Sequence, residues 1–239
     1  MTNIEVNPKS IDDNLPYRYP SRTLSIRTPQ GSFETPLRVA THYEYRSRMA
    51  IIAKPTIDSP VSINIRRMNY HQLSEFLNHN EFYEPLLRRV ELYHRIAQYA
   101  HLRLALIQPT TATASTTGVP PTMEMLRSNT MLRDRFLRFV INLQQDAGLN
   151  PITVPFMELS IDTLKSVMRD VHRSLTGVNL EPIFFVDLKY YKFDDLVSFL
   201  TDELGSKLIG LIYRRRSLVP VNYDFLGLEY YDRDVAFLC

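Results

Sequence analysis

The chain has 239 residues, of which 44% are hydrophobic and 23% are charged, and this composition excludes a disordered or fibrous protein. The formal net charge of +2 neither demands nor excludes nucleic acid, because such binding depends on local clusters of charge. The one cysteine is the last residue, Cys239, so no disulfide can form within the chain and no zinc site can be built on its cysteines.

The N-terminal segment is polar and shows neither periodicity nor the apolar core of a secretory signal. Residues 1–22 contain three prolines. We predict a flexible N-terminal arm there, followed by a single barrel-like domain over residues 23–239. No apolar run approaches the roughly 20 residues that cross a bilayer. We therefore expect a cytoplasmic protein without a membrane partner.

From residue 23 onward, short β-branched or aromatic runs alternate with longer amphipathic stretches. The predicted strands are Thr23–Thr28, Phe33–Thr41, Val61–Arg66, Leu102–Ile107, Ile152–Phe156, Ile183–Leu188, Leu208–Tyr213, Tyr223–Leu228 and Asp234–Leu238. The predicted helices are Tyr70–Asn78, Pro85–Ala100, Thr130–Ala147, Ser160–Leu175 and Phe193–Leu204. Gly148 is expected to end its helix and Ser160 to cap the next one. The threonine-rich loop Thr110–Thr117 is expected to be mobile or to cover a ligand.

Repeated strand–helix units predict parallel strands, because a parallel connection needs a crossover helix. The strands that begin at Leu102, Ile152, Ile183 and Leu208 are continuously apolar, which is typical of strands buried on both faces. A doubly wound sheet and a barrel both fit this pattern. The absence of a glycine-rich phosphate loop after the first strand favours the barrel. The predicted fold is an α/β TIM-like (β/α) barrel of six or seven strands. Its last unit looks missing, which fits an incomplete barrel, a fragment or a divergent end.

Ligand sites of such folds lie at the carboxyl ends of the strands. The candidate site residues are therefore those that end or follow the predicted strands: Thr41, His42, Gln108, Glu158, Asp187, Lys189, Tyr213 and Arg214. Because side chains two apart on a strand point the same way, Asp187 and Lys189 can form a carboxylate–ammonium pair. Such a pair can act as a base or nucleophile, or it can be a structural ion pair.

Other polar residues near the strand ends each allow two interpretations. Glu158 is a second acid–base candidate or a cap of the helix after Ser160. The run Arg214–Arg216 can bind the phosphate of a small ligand or of a nucleic acid, or it can be a solvated charge run. Tyrosines near this run, Tyr191 among them, can stack on bases or pack in the core. The histidines show no metal-ligand spacing, and we predict neither a metal nor another cofactor.

The segment Thr28–Pro36, followed by Thr41, resembles the opening of the tRNA-guanine transglycosylases, which begin T-x-x-G-x-x-x-T-P and carry a threonine at the end of the first barrel strand. Asn69–His71 is similar to the family's N-T-Y-H segment. Three later segments are similar to family motifs in the same order: Ile183–Asp187, Phe193–Leu196 and Leu208–Gly210. The resemblance covers about Arg22 to Tyr213, and it implies a barrel enzyme that exchanges a base at an N-glycosidic bond.

The chain departs from the family's pattern at several functional positions. The T-D-S-G-G-F-Q loop has no counterpart, and its place is taken by Ile107–Thr111. Met157 stands at an aspartate position, and Leu188 and Lys189 replace paired glycines. The segment with the nucleophilic aspartate and the zinc-binding cysteines has no counterpart up to Cys239. The resemblance therefore implies a diverged relative with a rebuilt site.

The function stays open between three hypotheses. The first is a transglycosylase-like enzyme that exchanges or cleaves the bond between a base and its sugar in tRNA or DNA. Asp187 or Glu158 would be its nucleophile or acid–base group, Gln108 would read the base edge, and Lys189 and Arg214 would hold phosphate. The second hypothesis is a non-catalytic barrel subunit that binds nucleic acid or a partner protein. The third is an unrelated barrel enzyme acting on a phosphorylated small molecule.

Overall fold

Strands alternate with helices along the chain in a computed structural model, which describes residues 4–12, 21–28, 31–34, 40–41, 61–68, 70–96, 102–109, 122–187, 191–212 and 236–238. The strands are Glu5–Asp12 (β1), Ser21–Thr28 (β2), Gly31–Glu34 (β3), Ala40–Thr41 (β4), Val61–Met68 (β5), Arg103–Pro109 (β6), Ile152–Val154 (β7), Pro182–Asp187 (β8), Leu208–Ile212 (β9) and Ala236–Leu238 (β10). They form three sheets, one antiparallel and two parallel.

The helices begin and end where local interactions favour it. They are Tyr70–Asn78 (α1), Tyr83–Ile96 (α2), Thr122–Ser128 (α3), Thr130–Asp146 (α4), Ile161–Thr176 (α5) and Phe193–Ser198 (α6), the last continued by a π-helical turn, Phe199–Glu203. Asn129 Oδ1 accepts the Leu132 N–H at 3.0 Å and caps α4. Gly148 follows α4 with a φ of +70°, which suits glycine. Ser160 caps α5, as predicted.

The antiparallel sheet pairs β1 with β2 and β2 with β3. Its apolar side chains are buried in one cluster: Ile4, Val6, Leu24, Ile26 and Phe33. The prediction of a loose arm over residues 1–22 therefore needs correction, because Glu5–Asp12 is a paired strand. The physical reason is the alternation of Ile4 and Val6, which places both side chains on the buried face.

The other strands are parallel and stand beside one another in chain order, β4-β5-β6 in one sheet and β7-β8-β9-β10 in the other. This confirms the predicted parallel pairing. Ile152, Ile183 and Leu208 are buried as predicted, with at most 1% of their surface exposed. The predicted strand Phe33–Thr41 is divided, because Gly31–Glu34 joins the antiparallel sheet and Ala40–Thr41 pairs with β5.

The two parallel sheets meet where β6 lies next to β7, and a buried glutamine holds this junction. Gln144 of α4 uses its side-chain amide as a strand would: Nε2 donates to the Thr153 carbonyl oxygen, and Oε1 accepts the Thr153 N–H, both at 2.9 Å. The Thr153 hydroxyl lies within hydrogen-bond distance of the Ala105 carbonyl oxygen in β6. The Gln144 side chain thus bonds the backbone N–H and carbonyl oxygen of Thr153 at the edge of β7. This edge faces β6.

A closed barrel is not found among the described strands. Neighbouring parallel strands in chain order are what a (β/α) barrel requires, so the barrel stays a prediction. The predicted loop Thr110–Thr117 and the predicted strand Tyr223–Leu228 lie outside the described residues.

Replacing the junction glutamine should destabilise the fold. We expect Gln144→Leu to lower the free energy of unfolding by about 2–4 kcal/mol, because the buried N–H and C=O of Thr153 lose their partners. The matched control is Gln145→Leu in the same helix, with an expected change within about 0.5 kcal/mol. Urea unfolding of both variants measures the difference, and equal losses would contradict the assignment.

Candidate functional site

The carboxyl ends of the parallel strands lie at one edge, because parallel strands in register end on the same side. In the paired backbones, Gln108 of β6 stands opposite Arg67 of β5. Asp187 is the last residue of β8 and stands opposite Ile212 of β9. The backbones of Gln108 and Asp187 are therefore near the strand ends where the sequence predicts them.

The segment after β7 runs along this edge and is anchored by a tyrosine. The Tyr191 hydroxyl accepts the Leu159 N–H at 3.0 Å and donates to the Leu159 carbonyl oxygen at 2.7 Å. The ring of Tyr191 packs edge-on against Phe156, with 5.9 Å between ring centroids. Of the two interpretations of Tyr191, the structure supports packing. This contact ties the segment after β8 to the segment after β7.

Glu158 is the predicted site residue whose side chain the structure describes in detail. Arg127, near the end of α3, donates from Nε to the Glu158 carbonyl oxygen at 3.0 Å and from Nη2 to Glu158 Oε2 at 3.4 Å. The Glu158 side chain is 14% exposed and that of Arg127 is 57% exposed. Because Ser160 caps α5, Glu158 is not needed for that role. The carboxylate lies instead beside an arginine at the carboxyl edge.

Arg133, in the first turn of α4, is a charged residue that the sequence analysis did not single out. Only 7% of the residue is exposed. The spacing of the helix contained a signal for this burial, because Arg133 precedes the buried Phe136, Leu137 and Val140 by three, four and seven positions. These positions share one helix face.

The remaining predicted site residues are not brought together by the described structure. Thr41 ends β4, where its backbone stands opposite Ser62. His42, Lys189, Tyr213 and Arg214 lie outside the described residues, as does the rest of the Arg214–Arg216 run. The predicted contacts of these residues with a ligand stay predictions.

No group of three or more histidine, cysteine, aspartate or glutamate side chains that could hold a metal ion is found in the described ranges. In the same part of the chain, none of the helices has the length and apolar character that a bilayer crossing requires.

Comparisons with known proteins return no relative. No protein-family model, no curated protein and no solved structure matches the chain significantly.

The opposite, amino edge of the strands carries a buried carboxylate that sequence reasoning missed. Glu181, directly before β8, is 7% exposed. Its backbone is held on both sides, since its N–H donates to Asn150 Oδ1 and its carbonyl oxygen accepts the Ile152 N–H. Burial raises the pKa of the Glu181 carboxyl to about 7, and the positive charge of Lys207 opposes this shift.

Removing the Tyr191 hydroxyl should destabilise the segment after β7. We expect Tyr191→Phe to lower the free energy of unfolding by about 1–3 kcal/mol, because the buried N–H of Leu159 loses its acceptor. Tyr83→Phe is the matched control, since it also removes one hydroxyl, whose partner Asp146 is exposed. Its expected loss is smaller. The measurement is urea unfolding, and a larger loss for Tyr83→Phe would refute the anchoring role.

Glu181 should make stability depend on pH. Its pKa is about 7 in the folded chain against an ordinary value of 4.5, so between these values the folded state binds the proton more tightly than the unfolded state. The free energy of unfolding should therefore fall as pH rises from about 4.5 to about 7, by about 1–3 kcal/mol. Glu181→Gln should abolish this fall, whereas Glu75→Gln, at an exposed position, should keep it. If the free energy of unfolding of Glu181→Gln still falls with pH in the same way, Glu181 is not the cause of the fall.

Proposed function

We propose that the protein is a diverged transglycosylase-like enzyme of the (β/α) barrel class, which exchanges or cleaves the N-glycosidic bond of a nucleobase in nucleic acid. One observation carries the proposal: a mostly buried carboxylate, Glu158, lies beside Arg127 four residues after the end of β7, on the edge where β8 ends in Asp187. Two carboxylates near a glycosidic bond are what this chemistry uses. The motif Thr28–Pro36 supports the same class.

In the proposed reaction, a carboxylate oxygen of Asp187 attacks C1′ of the nucleoside. The C1′–N bond breaks, and the base leaves with the bonding electrons and takes a proton from water. Glu158, held by Arg127, stabilises the positive charge that develops on the sugar ring. A nitrogen of the incoming base, or a water, then attacks C1′, displaces Asp187 and gives its proton to solvent.

The other candidate residues have binding roles in this proposal. Gln108 reads the edge of the base with its amide, which can donate and accept. Lys189 and Arg214 hold phosphate. Thr41, which ends β4, and His42 and Tyr213, which follow β4 and β9 in the sequence, complete the substrate site. These three residues contact the sugar or the base. A tRNA substrate fits the cytoplasmic location that the sequence predicts.

A second candidate is a non-catalytic subunit that binds nucleic acid or a partner protein. The specific observation in its favour is that Arg127 bonds both the backbone and the side chain of Glu158. This double contact suits a structural tie that shapes a binding surface. Binding of this kind would be strongly salt-dependent and would produce no turnover.

The test is base exchange by the purified full chain. Transcribed tRNA and duplex DNA are each incubated with labelled purine bases, and label incorporation and base release are measured. We expect activity that falls about 10²–10⁴-fold in Asp187→Asn and in Glu158→Gln. Asp170→Asn, which changes an exposed carboxylate of α5, should leave it unchanged.

Two results would contradict the proposal. One is base exchange that survives in the double variant Asp187→Asn/Glu158→Gln, which would show that these two carboxylates are not the catalytic groups. The other is binding of either nucleic acid with a steep salt slope and without incorporation or release, which would establish the second candidate instead.

A further inference from the structure

The parallel strands bury their two faces in different apolar clusters. Phe184 and Val186 of β8 belong to the cluster that also holds helical side chains such as Phe136. Ile183 and Phe185, which alternate with them, belong to a second cluster. The second cluster also contains side chains of the antiparallel sheet and of other parallel strands: Ile4, Val6, Leu24, Ile26, Phe33, Leu102, Leu104 and Leu208. The antiparallel sheet therefore packs on the strand face of Ile183 and Phe185, called the covered face below.

The antiparallel sheet lies toward the amino end of the covered face. Three members of the second cluster stand where parallel strands begin: Leu102 directly before β6, Ile183 at the second position of β8 and Leu208 at the first position of β9. Residues 35–39 alone connect the end of β3 to the start of β4, which is a reach of at most about 20 Å. The start of β4 is at the amino edge, because β4 is a parallel strand.

The antiparallel sheet is joined to the parallel strands by packing and not by strand pairing. In the described ranges, none of β1, β2 and β3 pairs with a parallel strand. Two ion pairs, Lys9–Glu34 and Arg27–Glu5, connect strands within the antiparallel sheet itself. The sheet can therefore leave the covered face without breaking a backbone hydrogen bond between parallel strands.

Glu181 stands on the covered face at this amino end. Its carbonyl oxygen accepts the Ile152 N–H at 2.8 Å, and this bond extends the ladder of β7 and β8 by one residue toward the amino edge. The alternation of side chains along β8 then puts Glu181 on the face of Ile183 and Phe185. Only 7% of the residue is exposed, and its hydrogen bonds to described residues use its backbone.

The charged groups around Glu181 compensate its ionised form only in part. Burial raises the pKa of the carboxyl, and the positive charge of Lys207 opposes this shift without cancelling it. Arg103 of β6 alternates with two members of the second cluster, so it points to the other face. Residues 149–151 and 177–180, which lead into β7 and β8, carry no charge. The two ion pairs of the antiparallel sheet lie at exposed positions. Ionisation under the sheet therefore costs free energy.

We infer that the antiparallel sheet is a pH-sensitive cover, which stays on the covered face while Glu181 is protonated and is released when that carboxyl ionises. Release brings Glu181 into water, where the ionised form is stable. Because the covered state holds the proton more tightly, packing of the sheet is strongest below pH 4.5 and weakens as pH rises to about 7. This cover does not depend on base exchange, and it exists in an enzyme and in a binding subunit alike.

Hydrogen–deuterium exchange of the full chain, read by mass spectrometry, tests the inference. A small sheet whose apolar face is no longer buried is only marginally stable, so release should expose the amides of β2 to exchange. Between pH 5 and pH 7, we expect the protection factor of Ser21–Thr28 to fall about tenfold or more relative to that of Pro182–Asp187. Each protection factor is taken against the intrinsic exchange rate at the same pH.

Three variants separate Glu181 from other titrating groups. In Glu181→Gln the side chain cannot ionise, so the ratio of the two protection factors should be the same at both pH values. Glu75→Gln, at an exposed position, should behave like the natural chain. Lys207→Met removes the charge that opposes the raised pKa, so release should move to higher pH. Lys207 is exposed, and its variant provides the test if Glu181→Gln does not fold.

Three results would overturn the cover. Equal losses of protection in β2 and β8 show that high pH weakens the whole fold and releases no separate sheet. A ratio that does not change with pH in the natural chain shows that the sheet is not linked to a titrating group. A ratio that falls in Glu181→Gln as it does in the natural chain, or that falls at the same pH in Lys207→Met, assigns the release to another group.

Discussion

The amide of Gln144 is the interaction on which the rest of the described structure depends. A glutamine side chain has the donor and acceptor of a peptide group, so it can complete the edge of a strand that no neighbouring strand bonds. Here it satisfies both backbone groups of Thr153, while the Thr153 hydroxyl faces the Ala105 carbonyl oxygen across the junction. The position of β7 beside β6 follows from these bonds, and with it the position of Glu158 after β7.

The two edges of the parallel strands treat buried charge in different ways. At the carboxyl edge, Glu158 has an arginine, Arg127, beside it. At the amino edge, burial raises the pKa of Glu181, so that a proton can neutralise it near pH 7. An arginine cannot lose its charge in this way. This asymmetry is why the carboxyl edge, and not the amino edge, attracts a catalytic interpretation.

The local sequence pattern predicted the helices and strands well where one type of residue dominated that pattern. The helix α5 follows from Ser160 and its apolar periodicity, and the parallel strands follow from continuous apolar runs. The strand β1 escaped prediction because Ile4 and Val6 make an alternation too short to stand out among prolines and polar residues. Arg133 escaped because a basic residue in a helix usually faces water, although its spacing placed it on the buried stripe.

The sequence by itself determined most of the helices and strands (though not β1 or α3), where caps and glycines end them, and that the apolar strands pair in parallel. These features depend on interactions within about four residues. Only the tertiary structure decided that Gln144 completes β7, that Arg127 holds Glu158 at a separation of 31 residues, and that Tyr191 anchors Leu159. Such polar contacts have similar energies with many alternative partners, so their choice follows from which surfaces the packing brings together.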